Sequence, residues 1–162
     1  MMTPSDETPK TRRAQHRQAS ADSRADRERS LDAMHALEAS AGRAGPGRYV
    51  TWRAAVIEAI SQLEAALAEQ RASYEDPASL MAQIAQDEPR LRTLVRQVHH
   101  RWIDLAATAQ TLRETLESAD TVDAGTIADT REQLRWMMTA LHHHRARESD
   151  LVFEAFGIDL AQ

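Results

Sequence analysis

Near its C-terminal end the chain reads LHHHRARESDLVFEAF, residues 141–156. An imidazole and a carboxylate four residues apart share one helix face, and such a pair can hold iron, manganese or zinc between bundle helices or serve as an ordinary structural contact. The direction of each side chain decides between these. On a wheel of about 100° per residue, with the apolar stripe set by Leu134, Leu141 and Val152, His142 and His143 fall outside the stripe or along its flank. His144 falls toward the inner side, and Glu148 lies closer still to the stripe centre. A buried glutamate is costly unless it meets a cation, a metal or enough hydrogen bonds. Two roles for it stay open: ligation of a metal together with His144, or a structural pairing with His144 or Arg145.

The other histidines divide the same way. His35, in AMHALEAS, lies beside Leu31 on its wheel and is a candidate to face inward, as a partly buried core residue or as a ligand. His99 and His100 are turned about 100° and 200° from Val98, which makes them boundary and surface residues, and His16 belongs to a polar N-terminal stretch. Cysteine is absent, so disulfides, zinc–thiolate sites and thiol catalysis are excluded, and any metal must be held by His, Asp and Glu. No Gly-rich phosphate loop, G-x-S-x-G elbow or H-E-x-x-H is present. With no convincing acid–base or nucleophilic pair, the expectation is a protein that is not an enzyme.

Helices must position these groups. Of 162 residues 42% are apolar, with only five glycines and five prolines, and the long alanine, leucine, glutamate and arginine segments favour helix. Residues 1–22 are too polar to offset the entropy of ordering and are expected as a disordered tail. A bundle is expected over residues 23–160. Its first helix, carrying Leu31, Met34 and Leu37, runs from Ser23 to Ala41 and is stopped by Gly42, Gly45, Pro46 and Gly47. The second begins near Val50 and lines up Trp52, Val56, Ile60, Leu63 and Leu67, a register that continues to Gln70 and Tyr74. Asp76-Pro77 breaks it.

After a short helical turn, SLMAQIAQ, Pro89 suits the first position of a third long helix that buries Leu91, Leu94, Val95, Val98, Trp102, Leu105, Leu112 and Leu116. The fourth starts between Asp123 and Thr126, turns Leu134, Met137, Met138, Leu141, Val152 and Phe156 inward, and ends at Gly157. Helices each apolar on one stripe must bury those stripes together, so the fold expected is all-α, an antiparallel four-helix bundle.

The net charge of −5 gives no electrostatic reason to expect nucleic acid or an anionic membrane as partner. No run approaches 18 apolar residues and the first thirty residues lack the apolar core of a secretory signal, so a cytoplasmic protein is expected. A protein partner and the oligomeric state stay open.

LHHHRARESDLVFEAF resembles the closing helix of hemerythrin-like HHE domains, in which a histidine is followed four positions later by a glutamate and then by a run such as DLVYEAF. YEDPASLMAQI, DEPRLRTLVRQVHHRW and the link GPGRYVTW are similar to further segments of that family, so the resemblance covers roughly residues 30–160. It implies a four-helix bundle with a non-haem di-iron centre that binds oxygen or senses oxygen, nitric oxide or iron. His35 would then be the first-helix histidine, and His144 and Glu148 the closing pair. The second-helix histidine is replaced by Gln70, with Glu75 as the accompanying acid, and the third-helix histidine by Trp102, which cannot ligate iron. The resemblance therefore implies an incomplete site. It leaves a binding or interaction module with no cofactor, or one with a single non-haem iron held by His35, Glu75, His144 and Glu148. An iron-dependent gas sensor and a purely structural adaptor are the alternatives.

Overall fold

The computed structural model describes residues 9–43 and 47–157 of the chain. Four long helices carry the structure: α1 (Pro9–Gly42), α2 (Tyr49–Glu75), α4 (Arg92–Ser118) and α5 (Ala124–Phe156). The short α3 (Leu80–Asp87) and a single 3-10 turn (Pro89–Leu91) join α2 to α4. No strand occurs among the described residues, and no described helix is long and apolar enough to cross a membrane. The architecture is all-α, with α1 against α2, α2 against α4 and α4 against α5.

Local chemistry sets the helix ends. The Ser79 hydroxyl accepts the Ala82 N–H at 3.1 Å to start α3, and the Asp123 carboxylate accepts the Thr126 N–H at 2.8 Å to start α5. Gly157, at φ +65°, takes the left-handed conformation that closes α5, its N–H donating to the Phe153 carbonyl at 2.8 Å. Neighbouring helices cover other ends. The Ala41 carbonyl in the last turn of α1 accepts from the Trp52 indole at 3.2 Å and from Arg131 at 2.9 Å. Arg53 of α2 donates to the Ala119 carbonyl at 2.9 Å, just past the end of α4. These contacts supply partners for carbonyls that a helix terminus leaves unsatisfied.

The buried apolar side chains form two clusters. The larger joins Met34, Leu37, Trp52, Ile60, Leu63, Leu67, Trp102, Leu116 and Leu141 along the main length of the bundle. The smaller joins Ala19, Leu80, Met81, Ile84, Leu91, Val98, Leu151 and Val152 at the end closed by α3. Between them runs a seam of buried polar residues: Ser30, Gln70, His144, Arg145 and Glu148.

Three expectations change. Helix α1 begins at Pro9, within the stretch expected as a disordered tail, and Ala19 of that stretch packs in the smaller cluster at the α3 end. His16 of the same stretch places its ring 4.9 Å from that of Phe156. Secondly, α4 begins at Arg92, after Pro89 has opened the 3-10 turn, and Leu94 stays 38% exposed while Leu91 and Val98 take the inner positions. Thirdly, Phe156 is only half-buried, at the very end of α5. Residues 1–8, Gly45 and Pro46 of the breaker cluster, and the end of the expected bundle at 158–160 lie outside the described residues.

Candidate functional site

The polar seam is assembled by the registers of α2, α4 and α5. On α2 the stripe that buries Leu63 and Leu67 delivers Gln70 to the interior one turn later, and Gln70 is 3% exposed. On α4 the stripe through Val98 and Leu105 delivers Trp102, which is fully buried. On α5, His144, Arg145 and Glu148 are all buried, while His142 and His143 are exposed.

Trp102 and His144 meet face to face. Their ring centroids are 4.6 Å apart and their planes 23° from parallel, and the indole N–H donates to the Leu67 carbonyl at 3.2 Å. Burial, with the positive charges of Arg101 and Arg145 in support, lowers the His144 pKa to about 4. Its imidazole is therefore neutral at pH 7, and its Nε2 is buried without a hydrogen-bond partner.

Glu148 lies one turn further on. The Gln70 amide donates to its two oxygens at 3.5 and 3.4 Å, the long end of hydrogen-bonding range. Burial raises the Glu148 pKa against the opposing influence of Tyr74, Arg27, Arg145 and Gln70. The Tyr74 hydroxyl is near enough for each group to perturb the other's proton equilibrium, yet it is not in hydrogen-bonding geometry and is buried without a partner. Arg145 turns toward α1, donating to the Arg27 carbonyl at 2.7 Å and touching the Met34 sulfur at 3.7 Å. Burial lowers its pKa to about 10, so it remains a cation at neutral pH. Among the described residues it makes no ion pair with Glu148, nor does His144. The expected structural pairing of Glu148 with one of them is replaced by the Gln70 contact.

The remaining ligand candidates lie elsewhere. His35 is exposed: the inner face of α1 is set by Met34, Leu37 and Ala41, and one residue on from Met34 is a turn of about 100° away from it. Glu75 is exposed at the end of α2, bound to Arg71 at 2.9 Å and 4.0 Å from His99. The structure thus brings His144 and Glu148 to one interior face and leaves His35 and Glu75 on the surface. Among the described residues no three His, Asp or Glu side chains converge to hold a metal ion, so this donor set does not fit an iron centre.

The sequence reading passed over a cleft of about 530 Å³ between α1, the end of α2 and α3, at whose floor Glu148 lies. Its walls come from three separate segments, and only the polar Gln70 on an apolar stripe signalled it. A second, shallower groove between α4 and α5 runs beside Trp136, which is 63% exposed. In comparison with known proteins, no family model, no curated protein and no solved structure matches the chain.

Proposed function

We propose that the protein is a non-catalytic binding module of hemerythrin-like form, in which an indole fills the space between helices where a metal centre would otherwise be held. The observation that carries this reading is the stack of Trp102 on His144. A neutral, inward imidazole is the form that ligates metal, but the side chain that α4 sets against it is an indole, which has no lone pair to offer a metal. The Gln70 amide, in place of a second imidazole, is turned to Glu148. A neutral indole packed in a bundle interior stabilises by apolar burial, so the former need for a metal is met by core packing.

The motif HHHRARESDLVFEAF and the turn sequences around Asp76-Pro77 and Pro89 support the family reading. The absence of a convergent His and carboxylate set among the described residues supports an apo module over an iron-dependent sensor. Elemental analysis of untagged protein, made with iron available and purified aerobically, tests the reading together with near-ultraviolet absorption. Iron far below stoichiometric and no charge-transfer bands are expected. One or two tightly held iron atoms per chain would overturn it.

A further inference from the structure

Three of the buried polar atoms that lack a hydrogen-bond partner, Gln70 Oε1, the Tyr74 hydroxyl and Gln83 Oε1, belong to residues lining the cleft above Glu148. Buried acceptors are nearly always satisfied, by protein, by water or by a ligand. Gln70 and Tyr74 lie beside the Glu148 carboxylate, which accepts from the Gln70 amide at 3.4–3.5 Å and is near enough to the Tyr74 hydroxyl for each to shift the other's proton equilibrium. Gln70 and Glu148 are each 3% exposed, so the amide oxygen of Gln70 sits at the floor of the cleft, while Tyr74 and Gln83 are partly buried along its wall.

The charge along the cleft has one sign. Asp22, Asp26 and Asp76 also line it, and among the described residues no lysine, arginine or histidine does. Asp26 is paired with Arg29 from outside, Asp22 accepts the Gln18 amide at 2.9 Å, and Asp76 accepts the Ala78 backbone N–H at 2.8 Å. Ala19, Leu80 and Met81 give the wall an apolar strip, among polar neighbours that include Ser23, Ser73 and Gln86. A bare metal ion would leave most of a 530 Å³ cleft unfilled and has no three-ligand set among the described residues. A molecule with N–H donors at both ends and methylenes between them matches the floor, the wall and the rim in turn.

We propose that this cleft binds a short aliphatic polyamine, with one ammonium group at Glu148, Gln70 and Tyr74, a methylene chain along Leu80 and Met81, and a second ammonium at Asp22 or Asp76. An ammonium has three donors and no acceptor, the complement of a floor built from a carboxylate, an amide oxygen and a hydroxyl. Its charge also offsets the cost of keeping Glu148 ionised in the interior. The proposal rests on the binding-module reading but is tested apart from it, since iron content decides that reading and amine binding decides this one.

The test is isothermal titration of the untagged full chain with 1,4-diaminobutane and with spermidine, against sodium and magnesium chloride at matched ionic strength. Saturable binding of one amine per chain, not displaced by the salts, is expected. Glu148→Gln should weaken it tenfold or more. Asp22→Arg, on the exposed face of α1 and away from the core, should also weaken it severely while leaving the helical circular dichroism unchanged. The absence of saturable binding, binding abolished by magnesium at equal ionic strength, or affinity unchanged in both variants would overturn the proposal.

Discussion

The Trp102 indole covers the face of the His144 imidazole at a centroid distance of 4.6 Å, and this one contact joins α4 to α5 across the middle of the bundle. The pair sits where the larger apolar cluster meets the polar seam. The Leu67 carbonyl answers the indole N–H, while the imidazole Nε2 has no hydrogen-bond partner.

Trp102→Ala should therefore behave as a deep core truncation. Loss of a fully buried indole and the cavity it leaves cost about 3–5 kcal/mol. Urea denaturation followed by circular dichroism measures the loss. A change under about 1 kcal/mol would show that the indole is not packed as described.

His144 makes stability depend on pH in a defined direction. Its pKa is lowered to about 4 by burial in the folded chain, against about 6.5 when unfolded. Above pH 6.5 the imidazole is neutral in both states and its contribution is complete. As pH falls from 6.5 toward 4 the unfolded chain takes up the proton first, and about 3 kcal/mol is progressively lost. His144→Phe, which keeps an aromatic ring against Trp102, should flatten that part of the pH–stability curve. The His144 ring resonances should titrate near 4 in the wild-type protein.

Glu148 has the opposite slope. Its pKa is raised by burial, so stability is greatest in acid, where the carboxyl is neutral in both states, and declines as pH rises from the ordinary glutamate value through the raised folded one. Glu148→Gln should leave the protein as stable or more stable at neutral pH, by on the order of 1 kcal/mol, with the difference shrinking in acid. Thermal unfolding at pH 7.5 and pH 4 checks both parts. A variant less stable at pH 7.5 would mean that the carboxylate has a stronger internal partner than the Gln70 amide. A residue whose burial costs stability is the kind that serves binding.

Much of this arrangement was legible from periodicity. The α2 stripe carried Gln70 inside, the α4 stripe carried Trp102 inside, and the α5 wheel separated His144 and Glu148 from His142 and His143. Each is a position on a long helix whose phase many apolar residues fix together. His35 and Glu75 failed for want of that phase. Leu31, used to orient His35, is itself only half-buried, and Glu75 lies one step past Tyr74 where α2 leaves the bundle. The first half of α1 was unreadable because its buried residues, Ala19 and Ser20, are too small to form a stripe. The cleft depends on α1, α2 and α3 meeting, and no local pattern records such a meeting.

The seam between the two apolar clusters has a consequence for motion. Side chains that interdigitate without a break tend to open together, whereas a polar layer with long hydrogen bonds and unanswered acceptors is a weak joint between cooperative units. The α3 end, with the beginning of α1 and the last turns of α5, can breathe while the rest of the helices stay closed. In hydrogen exchange its amides, those of Leu80–Asp87 above all, should lose protection at lower denaturant than those around Leu63, Leu112 and Leu134. The hinge of that sub-global opening would run through Gln70 and Glu148, so the same residues that line the cleft would also set how often its floor is uncovered.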